Sequence, residues 1–158
     1  MPIKVSCLLF CLMLLIAACS GGADQPQPST AISFQVRPNP EKVAAGQAIY
    51  DARCAACHGP QGVGQNPEDP RAKDDQGRFL APPHNQNGHT FHHDDDLLIS
   101  IIKNGGMGDP KTFTEMPAFG ESLTEQEINQ VLAYIKTLWT DEQRAAQEQA
   151  TKAVRSGS

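Results

Sequence analysis

Aromatic side chains are scarce, 6% of 158 residues, with a single tryptophan and two tyrosines. With hydrophobic residues at only 39%, the core of a one-domain chain would be thin unless something other than side chains fills it. Cations are also outnumbered: thirteen Lys and Arg stand against eighteen Asp and Glu, a formal charge of −5. That balance argues against nucleic acid as a partner, because phosphate contacts need clustered cations. No internal repeat is visible. No apolar run is comfortable as a membrane span either. The longest, Val5 to Ala18, makes a helix of about 21 Å against roughly 30 Å of hydrocarbon. Nothing in the sequence implies a substrate pocket or an acid–base pair, so it predicts a protein that is not an enzyme.

What is present begins at the N-terminus. Lys4 is the only charge before the apolar run, and small residues close it; together they predict an export signal over residues 1–18. Its end, Ile16-Ala17-Ala18-Cys19, resembles the lipobox of bacterial lipoproteins. The resemblance implies cleavage before Cys19 and lipid on its sulfur. Two or more acyl chains anchor a protein stably where one holds it only marginally. Ser20 resembles the residue that sends such cargo to the outer membrane of diderm bacteria. A plain secretory signal is the alternative. Residues 19–40 are rich in Gly, Gln, Ser and Pro and read as a linker, in which Ile32, Phe34 and Val36 alternate as a short extended strap.

Cysteine usage then closes without remainder. Cys7 and Cys11 leave with the signal, Cys19 takes lipid, and Cys54 and Cys57 remain. An exported protein meets an oxidising compartment, so two lone thiols there need a task. Cys54-Ala55-Ala56-Cys57-His58 is the C-x-x-C-H signature of covalent haem attachment. On one helical turn both thiols face the same side and reach the two vinyl groups along one porphyrin edge. His58 follows directly and brings an imidazole under the iron. A buried macrocycle also supplies the core area that aromatic side chains do not. The rival readings are weaker. Zinc wants four ligands at set spacing, a thioredoxin-like pair wants a βαβ setting, and a disulfide across three residues constrains little.

With that motif in place, residues 41–139 resemble the class I cytochrome c family. The resemblance rests on Glu41 to Tyr50, with Gly46 among them, on the C-x-x-C-H motif, and on Met116-Pro117-Ala118-Phe119 before a final helix. It implies an all-α fold of three to four helices wrapped around one covalently bound haem c. Periodicity supports the helices independently. Val43, Gly46, Ile49 and Tyr50 share a face, and the resemblance implies that the small Gly46 lets the first helix cross the last closely. Asp94 to Asn104 predicts a second helix, with Leu97, Leu98, Ile101 and Ile102 inward, acidic residues at its start and Gly105 as its stop. Thr124 and Glu127 form a capping box, Leu123 and Ile128 a staple, ahead of a stripe of Ile128, Val131, Leu132, Ile135, Leu138 and Trp139. Residues 140–158 favour helix by propensity but lack an apolar stripe, and read as a solvated extension or tail.

The sixth iron position decides between an electron carrier and a gas or peroxide site. Met116, beside Pro117 and just before the capped helix, is the favoured ligand over Met107, which sits among glycines; His84, His89, His92 and His93 are the other candidates. A thioether raises the potential relative to a second imidazole. The resemblance also implies that the carbonyl of Pro82 receives the His58 Nδ1 proton, with Pro83 as the alternative match and His84 standing where the family often has leucine. The chain therefore reads as a lipid-tethered carrier of single electrons between redox proteins at the periplasmic face of a bacterial membrane. A haem sensor or weak peroxidase with an open sixth position is the alternative. So is a cytochrome with an auxiliary metal at His89, His92 and His93, since on a helix those three would face one way.

Overall fold

Asn39 opens the first helix: its side-chain oxygen accepts from the Glu41 and Lys42 amides, and Pro40 fills the first helical position, where no amide donor is needed. Helix α1 runs Pro40–Arg53 and passes straight into α2, Ala55–His58. Two 3₁₀ turns, Pro60–Gly62 and Thr90–His92, punctuate the long loop to α3, Asp95–Asn104. Helix α4, Glu125–Thr137, and helix α5, Asp141–Ser156, complete the chain. The computed structural model describes residues 38–106 and 109–157. The expected export signal, Cys19, the expected linker up to residue 37 and Met107 lie outside the described residues. Among the described residues there is no strand, only isolated bridges pairing Phe79 with Lys73 and with Phe113. The described residues are all-α, as the sequence predicts.

Each predicted stop and start has a physical counterpart. The Asp94 carboxylate accepts from the Leu97 amide, and Gly105 closes α3 at φ +82°. Thr124 and Glu127 form the reciprocal capping box of α4, and the staple residues Leu123 and Ile128 are both buried. The core lies where α1 meets α4, built from Tyr50, Val131, Leu132, Tyr134, Ile135 and Trp139, with Leu98 of α3. Val43, Ile49, Ile101 and Ile102 pack against it, half-buried. Gly46 is the contact point. A Cβ built there would lie 1.9 Å from the carbonyl oxygen of Gln130, so the two backbones touch as only glycine allows.

The C-terminal segment departs from the sequence expectation. It is not a solvated continuation of α4. The chain breaks at Leu138, and Thr140 with Gln143 builds a second capping box that starts α5 afresh. Helix α5 then lies along the Thr90–His92 turn and the start of α3, and its buried residues are polar. Gln147 is 1% exposed and Thr151 6%. The Gln147 amide donates to the His93 carbonyl, the Asp95 carboxylate and Thr151 Oγ1, while Thr151 Oγ1 accepts from the Asp95 amide. Lys136 reaches the same Asp95 carboxylate at 2.6 Å. An apolar-stripe test cannot see a seam made of hydrogen bonds. Gln147→Ala should remove the three hydrogen bonds its amide gives to this seam and cost about 2 kcal/mol. Amide exchange within α5 should then quicken roughly thirtyfold while exchange in α4 holds.

Candidate functional site

The end of α1 delivers both thiols and the imidazole. Cys54 closes α1, its amide bonded to the Tyr50 carbonyl at 2.8 Å, and at the same time caps α2. Its own carbonyl then accepts from the Cys57 and His58 amides at 3.1 and 2.9 Å. That single turn holds Cys54 and Cys57 side by side. Cys54 is half-buried against the core, Cys57 is exposed, and both are free thiols. Burial, with some help from Cys57, pushes the Cys54 thiol up to about 11, so it rests as the protonated thiol. Gly59 ends the turn at φ +72°.

Two neighbours lock the turn. Tyr50, fully buried, points its hydroxyl at the carbonyls of Gly59 (3.1 Å) and His58 (3.5 Å). Burial raises its pKa, so it stays a donor. His58 is 8% exposed, and its Nδ1 sits 2.9 Å from the Pro82 carbonyl oxygen. A carbonyl only accepts, so Nδ1 carries the proton and Nε2 keeps its lone pair. Burial lowers the His58 pKa, partly opposed by the Pro82 bond, and the ring is neutral at pH 7. Pro83 is otherwise engaged: its carbonyl accepts from Thr90 Oγ1 at 3.4 Å, and its ring abuts Gly64.

Met116 lies in the loop between α3 and α4, half-buried. The loop is tied to the end of α3 by Phe119 N to Ile102 O and Gly120 N to Lys103 O. A Cβ on Gly105 would meet the Met116 carbonyl at 2.7 Å, so that glycine lets the methionine loop fold down onto the helix end. On the other side Phe79 exchanges bonds with Thr112 and Thr114 and packs on Phe113, ring centres 5.6 Å apart.

The histidine cluster does not assemble as the sequence suggested. His89 precedes the 3₁₀ turn, His92 is inside it and His93 is extended, so the three never share a helical face. His89 and His93 meet edge to face at 5.4 Å, while the His92 ring lies against Phe91 at 4.3 Å. Among the described residues no group of three or more His, Cys, Asp or Glu side chains is placed to hold a metal ion. The auxiliary-metal reading is therefore set aside. What the sequence reading did not find is the place of His84 beside His58. Its ring stacks on His58, centroids 4.0 Å apart and planes 29° from parallel. The only hint was a polar residue where the resembling family often has leucine.

Two unpaired thiols on one turn and a neutral imidazole with its Nε2 lone pair uncommitted are a donor set that fits a covalently held haem. The same class emerges from comparison. A family model described as Cytochrome c matches residues 43–139, and the chain belongs to the cytochrome c family. Covalently bound c-type haem and haem-based electron transfer come with it. The chain is 33% identical over 104 residues to cytochrome c-554(547) of Halothiobacillus neapolitanus, across 60% of this chain and 94% of that one. It is 32% identical over 97 residues to the cbb3-type cytochrome c oxidase subunit CcoP of Azospirillum sp. (strain B510), across 61% of this chain. It spans only 29% of that subunit's length. No solved structure matches it significantly.

Proposed function

We propose that this protein is a monohaem electron carrier with histidine–methionine axial ligation, tethered to a bacterial membrane and working between exported redox proteins. In this reading the haem domain, residues 41–139, takes its thioether links from Cys54 and Cys57 and its axial ligands from His58 and Met116. Cys19 carries the lipid, and residues 19–40 give the domain its reach from the periplasmic face of the membrane, the outer one by Ser20. The observation that carries the His58 assignment is the His58–Pro82 bond, since it places the proton on Nδ1 and leaves the Nε2 lone pair for a metal. When bound, the haem supplies a one-electron centre. The chain's own work is to hold the ligating atoms still, so that little rearranges when charge changes. Tyr50 and Pro82 fix the imidazole side, and the α3 end with Gly105 fixes the methionine loop. The cbb3 oxidase relative supports partners drawn from a membrane electron-transfer chain.

Met116→Ala tests the sixth ligand. The weak far-red charge-transfer band of ferric methionine–iron bonding should vanish and the reduction potential should fall. Met107→Ala should leave both untouched. A band that survives in Met116→Ala removes Met116 from the iron. A wild-type protein lacking the band favours an open sixth position and the sensor or peroxidase reading.

A further inference from the structure

We propose that His84 is a positioning residue for the His58 imidazole, fixing the plane of that ring by stacking on it. The proposal rests on His58 being an iron ligand. The bond from His58 Nδ1 to Pro82 O pins one atom of the ring, but a single hydrogen bond is soft and leaves the ring plane some freedom to tilt. A second flat ring laid on the first removes this freedom, and His84 lies 4.0 Å away at 29°.

His84 is itself held on every side. Its amide donates to Gly62 O at 2.8 Å, and its carbonyl accepts from Trp139 Nε1 at 2.8 Å. Its Nδ1 lies 2.9 Å from Thr90 Oγ1. The Thr90 hydroxyl proton goes to Pro83 O, so Thr90 Oγ1 accepts from His84 and sets the Nδ1–H tautomer. Tyr50 meets the His84 ring edge-on at 6.4 Å. Gly62 comes so close that a Cβ there would be 3.1 Å from the His84 Cβ. An aliphatic side chain at position 84 fills the same space but touches the imidazole at points rather than across a plane, so it does not hold the ring angle. Thr90, itself 6% exposed, belongs to the same device: it orients the ring that orients the ligand.

The test uses the ferric holoprotein and the pattern of its haem-methyl proton resonances, which follows the orientation of the axial imidazole plane. His84→Leu should shift these resonances relative to one another, whereas His84→Phe and Thr90→Val, which each keep a flat ring but lose the bond to Thr90 Oγ1, should move the pattern only part of the way. A pattern unchanged in His84→Leu overturns the proposal, as does one displaced as far by phenylalanine as by leucine. Should His84→Leu give no folded holoprotein, Thr90→Val decides alone, and an unshifted pattern there sinks the idea. A wild-type spectrum without a coordinated imidazole points instead to failure of the ligand assignment.

Discussion

Gly46→Ala is expected to destabilise the protein by about 3 kcal/mol, seen as a lower urea midpoint with unchanged slope. The sign is informative because two effects oppose each other. Helix propensity alone favours alanine over glycine inside α1 by about 1 kcal/mol. The added methyl, however, would stand 1.9 Å from the Gln130 carbonyl oxygen and 2.4 Å from its carbon. Those are backbone atoms and cannot swing aside like the end of a side chain, so α1 and α4 must separate and loosen the contacts of Tyr50, Val131 and Tyr134. Gln47→Ala, one residue on and exposed, should stay within about 0.5 kcal/mol. A stable Gly46→Ala protein would show that the two helices do not cross at this point.

Removing both thiols by Cys54→Ala with Cys57→Ala should abolish covalent attachment, leaving essentially no haem with the polypeptide on a denaturing gel. One thiol alone should retain part of the stain. Stability should fall as well. The described core is a strip along the contact of α1, α3 and α4, and the polypeptide supplies few aromatic rings to widen it. Haem-stained denaturing gels and thermal melts check the two effects separately. Undiminished stain in the double variant would move the attachment away from this turn.

How legible all this was in the sequence depended on how local each feature is. The capping box at Thr124 and the stripe from Ile128 to Trp139 are short-range patterns, and α4 follows them closely. The C-x-x-C-H motif is contiguous, so its geometry on one turn could be argued from helical spacing. Helix α5 was harder. Its buried Gln147 looks like a surface residue until its partners His93 and Asp95, more than fifty positions away, come into contact with it. The alternative metal reading of His89, His92 and His93 fails for a local reason, because the backbone makes a 3₁₀ turn there and then extends, and the three side chains do not gather. His84 stacks on a ring 26 positions earlier in the chain, a relation that no window of sequence contains.

The close approach of Gly46 to Gln130 also bears on how the chain finds its shape. These residues stand more than eighty positions apart, so their meeting closes nearly the longest loop in the domain, at an entropic cost of about 4 kcal/mol beyond a length-independent constant. Such distant pairing slows a helical protein that would otherwise assemble from neighbours. The encounter of the chain's first and last core helices is therefore expected to contribute to the folding barrier, with the turn of thiols one residue beyond the nearer end.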